Sequence, residues 1–534
     1  MEAEGQERVK VLHHLPGELL IALDRSIGQA VEVSAREALE RVIYGWLGAI
    51  DVGRDESALP RARQIEPIQR FDRNARETTE VHLIRFTDGD RQLDSSRIRE
   101  IVANLNGRLR EGRGSERYYT LRDGNNVALG TIRAVSPNFL AASAQGWGTG
   151  GGPGLPPEPI PPVAPLPLPG ITFTTDTLRA ALGAKADPKE QVVVAVLDTS
   201  PQRDEARDAA TEFLYSAGNT FLDWVTRSIE FEYWPLKTRI IPEYRHIVPY
   251  WAERAEKWTS GAPMKNRDTF FNIVDHGLFA AGLVRSVAPE AKIHLFRVLD
   301  DVGIGDTMAL LTALNAIPGR LRKQYGRKIR LIINLSLLVE EPDDHRVYGV
   351  DDPGDLHWML QAAVDALRHQ DVLVVAAVGN DSFALAQRRE PRLPARYESV
   401  FSVAATDRDG NPATYSNLGD TDVLDNGIAV FGGNAALAGA VPTIAGAGSK
   451  GRPDGLVGAF TRKRLPCSRG MNKTGLVYWA GTSFAAPVIT GIAAQLWSRA
   501  KAPTTPAGMV ERVRCYATDD ETATLKVKAI DAKA

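Results

Sequence analysis

Apolar and polar positions follow two different rhythms along this 534-residue chain, and the change of rhythm divides it. In the second part, continuous apolar, β-branched runs recur at Gln191–Leu197, Lys292–Val298, Ile329–Leu335, Val372–Val378 and Val400–Ala404. Runs of that length without alternation predict strands buried on both faces of a parallel sheet. Stretches with helical spacing stand between or after them: His276 to Val287, Asp306 to Tyr325, Asp355–His369, Ser483 to Arg499 and a closing Pro506 to Tyr516. Strands alternating with helices in this way predict an α/β fold, a three-layer, doubly wound, mostly parallel sheet.

Before that region the pattern is mixed. Two amphipathic helices are predicted, Ser34 to Leu47 with Ser34 as N-cap, and Ser95 to Leu109 with Ile98, Ile101, Val102 and Leu105 on one face. Strands are expected at Gly17–Leu23, Val81–Phe86, Tyr118–Leu121 and Val127–Ile132, and the charged, aperiodic stretch from Ala49 to Glu80 reads as a loop. Between the two regions, Gly146 to Gly170 is first glycine-rich and then proline-rich. The proline part predicts an extended spacer of about 3.1 Å per residue, with an SH3-type ligand as the alternative. The organisation expected is a small α+β domain at 1–145, a linker at 146–170 and an α/β domain at 171–534.

Composition narrows the function classes. Lys plus Arg is 64 and Asp plus Glu 66, a formal net charge of −2, so nothing argues for nucleic acid or a membrane surface as partner. The two cysteines, Cys467 and Cys515, cannot form a disulfide framework. The charged N-terminus has no apolar run longer than Leu19 to Leu23, which predicts neither signal peptide nor membrane span and hence a cytoplasmic chain. His13 and His14 look exposed, and the remaining histidines are too scattered for a zinc site. No cofactor is expected.

The chemistry lies where predicted strands end and helices begin. The first run leads into Asp198-Thr199-Ser200, and the fourth into Gly379-Asn380-Asp381. Asp275-His276-Gly277 opens one helix and Gly481-Thr482-Ser483 another. A hydroxyl at a helix N-terminus sits beside unsatisfied backbone N–H groups. Gly-Thr-Ser before a helix is also an ordinary capping sequence, so the serine alone decides nothing. With Asp198, His276 and Asn380 at neighbouring sheet ends, the acyl-transfer roles are filled: serine attacks, imidazole takes the proton, carboxylate orients the imidazole, and an amide donor meets the oxyanion.

These stretches resemble the motifs of the subtilisin-like serine proteases. The resemblance rests on Val194 to Thr199, His276-Gly277 with Ala281-Gly282, Asn334-Leu335-Ser336-Leu337, Val378-Gly379-Asn380, Ala413 to Gly419 and Gly481 to Pro487, in that order. It implies an endopeptidase with Asp198, His276 and Ser483 as triad and Asn380 as oxyanion donor. Peptide would be held along Ser336, Leu337, Leu338 and Gly379, and the partner is a peptide or protein substrate. It also implies that residues 1–145 could act as an intramolecular inhibitor or regulator. Calcium sites are widespread in the family, but no acidic loop here is assignable; Asp300-Asp301 and Asp351-Asp352 read as solvated turns.

The chain departs from the pattern at Ser200 and Leu338, where the family has glycine, at Phe279, which replaces a non-catalytic histidine, and at Phe484, which replaces methionine. Leu338 bears on the geometry of the cleft. The long, Trp- and Tyr-rich stretch between Asp198 and His276 reads as an insertion with its own small core or a lid, and Gly432 to Gly458 as a mobile loop. Two alternatives stay open at this point: a silent peptide-binding protein, and an esterase or amidase on the same scaffold.

Overall fold

A computed structural model describes residues 14–26, 37–46 except 44, 61–143 with breaks at 73, 75, 89–90, 93–94 and 111–117, 157–160, 183, 187, 191–232, 273–382 except 302 and 343, 388–418, 426–438, 441–444, 454–465, 470–499 and 505–516. Two compact units emerge. The described part of unit 1 comprises residues up to Leu140 together with Glu340–Ala362; unit 2 begins at Ala141 and holds the rest.

Unit 1 is built on an antiparallel sheet in the order β6-β1-β3-β2, with β1 at His14–Ser26, β2 at Arg61–Asp72, β3 at Glu77–Asp88 and β6 at Ala128–Ser143. The two-residue β4 (Arg91–Gln92) adds to β3, and β5 (Tyr119–Arg122) to β6. Helix α1, Ser95–Arg110, buries the predicted stripe of Ile98, Ile101, Val102 and Leu105. The helix expected from Ser34 is present over residues 37–43 and 45–46, while its proposed cap lies outside the described residues. Two expectations fail here. The stretch read as a loop contains β2, an edge strand whose register shifts between Ile65 and Gln69, around Pro67. A charged sequence with a broken period hides such a strand, since an edge needs pairing on one side only. His14 is buried, set edge-on against Phe139 and Tyr348.

The core of unit 1 is completed by residues far along the chain. Tyr348, in the 3₁₀ turn His345–Tyr348, packs on Phe139, and His357 lies 4.8 Å from the same ring. Asn106 Nδ2 donates to Val135 O and Tyr348 O, at 3.0 and 2.8 Å. Arg133 stacks over Trp358.

Unit 2 carries the predicted sheet. Its seven parallel strands run in the order β16-β15-β14-β12-β8-β10-β9: β8 is Val192–Asp198, β9 Ile229–Glu232, β10 Lys292–Arg297, β12 Arg330–Leu335, β14 Val372–Ala377, β15 Phe401–Thr406 and β16 Gly427–Phe431. Strands after β8 are added first on one side of it and then on the other, so its carboxyl end lies where the connections diverge, the usual place for a site. Helices α4 (His276–Val287) and α8 (Thr482–Trp497) pack together over the face carrying Val194, Val196, Leu295 and Ile332. The alternate residues Val193, Ala195, Ile333 and Val374 are equally buried. On that side His294 bonds Tyr325 at the end of α5 (Thr307–Tyr325) at 2.8 Å. Continuous apolar runs are thus needed because both faces are dry.

Other segments differ from expectation. The Asp198-to-His276 stretch is no separate insertion in its described part: α2 (Arg203–Ala217), α3 (Thr220–Ser228) and β9 put Phe213, Leu222 and Val225 into the main core. Residues 233–272, with the remaining Trp and Tyr side chains, lie outside the described residues. The helix predicted at Asp355–His369 is two, α6 (Pro353–Leu356) and α7 (Trp358–His369), divided at His357. Part of the proline run is no spacer: β7 (Glu158–Pro159) pairs with β20 (Leu476–Trp479), and Ile160 enters the core. Proline is tolerated there because, among the described residues, β7 has a partner on one side only. The glycine-rich stretch from Gly432 contains a hairpin of β17 (Ala435–Ala438) and β18 (Val441–Ile444), followed by β19 (Leu456–Ala459). Asp300 is not solvated; its carboxylate is buried and accepts from Ile304 N. Helix α9, Pro506–Arg514, closes the chain as predicted.

One buried acid makes stability depend on pH. Burial pushes Asp454 up to about 6, and Arg408, 4.0 Å away, offsets only part of the effect. A folded-state pKa above the ordinary carboxylate value means that the ionised form costs stability, fully above pH 6 and not at all below about pH 4. Asp454→Asn is therefore expected to raise the melting temperature by a few degrees at pH 8, with the gain fading as pH falls to about 4. Thermal scans across that range check it; a difference that does not change with pH contradicts it.

Candidate active site

The site begins at the end of β8. Asp198 is fully buried, and its carboxylate accepts from Thr199 N at 2.6 Å and lies 2.8 and 3.0 Å from His276 Nδ1. The close approach of α4 to β8 needs a residue without a side chain after the histidine: a Cβ on Gly277 would stand 2.1 Å from Thr199 O. Thr199 Oγ1 takes advantage of that approach, accepting from Gly277 N and donating to Val274 O. A second tether comes from Asp275, whose buried carboxylate accepts from Thr461 N, Thr461 Oγ1 and Arg462 N. Burial raises its pKa against the pull of those donors.

Behind the imidazole stands an aromatic wall. The His276 ring lies 5.3 Å from Trp479 and 4.9 Å from Phe484, and Phe279 packs 4.5 Å from Phe484. Two of the chain's departures, Phe279 and Phe484, therefore belong to one cluster around the His276 ring. It keeps water from that side of the ring.

The first turn of α8 holds Ser483. Pro487 lies four residues on and has no N–H, so the carbonyl of Ser483 lacks its helical donor. Ser336 supplies one: its hydroxyl donates to Ser483 O at 2.7 Å. It in turn accepts from Asn334 Nδ2 at 2.9 Å, and Asn334 Oδ1 accepts from Thr490 Oγ1, two turns further along α8. All four residues are buried. Asn380 is fixed from the other side, its side-chain oxygen accepting from both Thr482 N and Thr482 Oγ1 at 3.0 Å. Gly379 N completes this loop by donating to Thr482 Oγ1. With the oxygen of Asn380 engaged, the amide turns its donor end the other way, and Ser483 N–H, in the first helical turn, has no helical carbonyl to meet.

The predicted residues are thus gathered, with one bond not made. Ser483 Oγ is buried without a hydrogen-bond partner among the described residues. His276 Nε2 instead faces Ser143 Oγ at 3.5 Å, the outer limit of a hydrogen bond. Ser143 ends β6, whose last residues Ala141, Ala142 and Ser143 pair antiparallel with Val339, Leu338 and Leu337 of β13 (Leu337–Val339). Ser143 N donates to Gly303 O at 2.9 Å, just before β11 (Ile304–Asp306). Leu337 and Leu338 lie in that strand, and the hydroxyl of Ser336, just before it, braces α8. Ser200 is buried, its hydroxyl turned to Pro201 O.

Sequence reasoning passed over Thr199, Asp275, Thr490 and Ser143 as site residues. Thr199 and Asp275 adjoin predicted site residues and could have been found that way. Thr490 is visible only as the residue seven positions after Ser483 on the same helical face, and nothing local marks Ser143. Among the described residues no group of three or more His, Cys, Asp or Glu could hold a metal ion, and no helix is long and apolar enough to cross a membrane.

With this geometry in place, comparison with known proteins fixes the class. The sequence model of the subtilase family matches residues 260–526, half of the chain, and the chain belongs to that family. It is 30% identical over 155 residues to minor extracellular protease Epr of Bacillus subtilis (strain 168), covering 27% of this chain and 20% of that protein. Subtilisin DY of Bacillus licheniformis is 28% identical over 166 residues, 29% of this chain and 52% of its own length. The membrane-bound transcription factor site-1 protease of Mus musculus is 29% identical over 210 residues, 34% and 18%. The aligned part is thus about half or less of each relative. Among solved structures, a lanthipeptide protease superposes with a TM-score of 0.39 at 18% identity, covering 64% of this chain and 84% of its own. The protease domain of PatA, solved as a serine-to-alanine mutant, gives 0.36 at 19%, covering 66% and 94%.

The Thr490–Asn334–Ser336–Ser483 chain has a measurable worth. Ser336→Ala leaves a buried carbonyl unpaired and is expected to cost about 1–3 kcal/mol in denaturant unfolding. Thr490→Val should cost a similar amount, and the double variant less than their sum, because the bonds form one network. Strict additivity would show that the four groups do not act together.

Proposed function

We propose that the chain is a serine endopeptidase restrained by its own N-terminal region. Ser483 is the nucleophile, His276 the base that takes its proton and later gives it to the leaving amine, and Asp198 the carboxylate that fixes the imidazole tautomer. Asn380 Nδ2 and the backbone N–H of Ser483 receive the developing oxyanion. Peptide lies along β13, and Ala141–Ser143 fills that place in the uncut chain as an intramolecular inhibitor.

The observation that carries this reading is the buried Asp198–His276 pair, with Nε2 turned toward a peptide strand in the cleft. Base and nucleophile are not hydrogen-bonded while that strand is seated, which is what restraint requires. Catalytic hydrogen bonds are commonly long before substrate is bound. The same missing bond is the one observation that favours a silent peptide-binding protein, so the test must separate the two.

A fluorophosphonate probe should label Ser483 in protein whose backbone has been cut between Ser143 and Pro157 and from which the severed N-terminal piece has been displaced, and Ser483→Ala should abolish labelling. Asn380→Ala should lower kcat by about 10²–10³-fold with little change in KM. Wild type that stays unlabelled intact, cut and after the severed N-terminal piece has been displaced overturns the protease reading in favour of the silent one.

A further inference from the structure

Resting on the reading just given, we infer that the cleft selects peptides with small residues at two successive positions, those held here by Ala142 and Ser143, and that Leu338 sets the first of these preferences. The seat of Ala141–Ser143 is closed on every side. Backbone bonds come from β13 on one edge and from Gly303 on the other. All three residues are buried, whereas a strand added to an open edge ordinarily alternates between covered and exposed side chains.

At Ser143 the walls are the His276 ring and the Gly303 turn. A Cβ on Gly303 would lie 3.3 Å from Ser143 Cβ and 2.5 Å from Ile273 Cδ1, so turn, Ile273 and Ser143 already meet without spare volume. Opposite them the imidazole nitrogen is 3.5 Å from the hydroxyl. A branched or aromatic side chain at this position needs space that the base or Ile273 occupies. Gly, Ala or Ser does not.

At Ala142 the wall is Leu338. The two residues are directly paired across the antiparallel ladder, so their side chains leave the sheet on the same face about 4.5–5.5 Å apart at Cβ. Both are buried within one apolar cluster. In the family pattern this position is glycine, which leaves the facing side chain room to be large. Here the leucine takes up that room. The departure that put the cleft in question therefore narrows what it accepts.

Two measurements test this. The first needs no catalysis. In full-length Ser483→Ala protein, Ala142→Phe should expel the strand and speed hydrogen exchange of the Ser143 amide by about tenfold or more. Adding Leu338→Gly should restore the protection. The second uses quenched fluorescent peptides with the chain's own sequence Leu-Ala-Ala-Ser-Ala-Gln-Gly, or with Phe in place of the second Ala or of Ser, and enzyme cut between Ser143 and Pro157 with the severed N-terminal piece displaced. The parent peptide should be favoured by about tenfold or more in kcat/KM, and Leu338→Gly should narrow the ratio only for the Ala-to-Phe peptide. Equal cleavage of all three peptides, or an unchanged ratio in Leu338→Gly, overturns the inference. Continued protection in Ala142→Phe overturns it as well. Absence of any cleavage together with absence of probe labelling instead removes the protease reading, and the exchange experiment still decides whether Leu338 limits the seat.

Discussion

The position of one imidazole depends on a contact between backbones. β8 and the start of α4 approach so closely that only glycine fits after His276, and Thr199 Oγ1 bridges the two segments. That approach brings Nδ1 to Asp198 and leaves Nε2 pointing into the cleft. The aromatic wall of Trp479, Phe279 and Phe484 then fills the remaining side of the ring. Reorienting the imidazole would break its bond to Asp198 and disturb its packing against Trp479 and Phe484.

The helix that carries the serine is governed by a comparable local fact. Proline in the first turns of α8 removes one donor, and a buried polar chain running through Asn334 and Ser336 answers it. Ser336 lies next to β13, so the brace of Ser483 and the edge that pairs with Ala141–Ser143 are joined within three residues. A change that shifts either one is therefore felt at the other.

Much of this was legible in the chain itself. The five buried strands and the helices at His276 and Ser483 follow from unbroken apolar runs and small-residue helical faces, and the motifs at their ends placed Asp198, His276, Asn380 and Ser483 together. What escaped detection shares a cause. β2, β7 and β9 lie at sheet edges or make short pairings, where one-sided hydrogen bonding permits charge, proline and broken alternation. Thr490 and Ser143 act at 156 and 133 residues from their partners, and no periodicity reports a contact of that range. The hydroxyl bond from Ser336 to α8 also went unread, because the consequence of Pro487 appears only once both segments are in space.

Unit 1 draws on stretches far apart in the sequence, and this bears on what a nick can accomplish. Tyr348 and His357 pack on Phe139, Asn106 holds the carbonyl of Tyr348, and Trp358 lies under Arg133. After scission anywhere between Ser143 and Pro157, these partners sit on different polypeptides. The severed N-terminal piece is then still interleaved with its remainder, like two halves of a clasp. Liberation is a second event, set by how readily that shared interior comes apart.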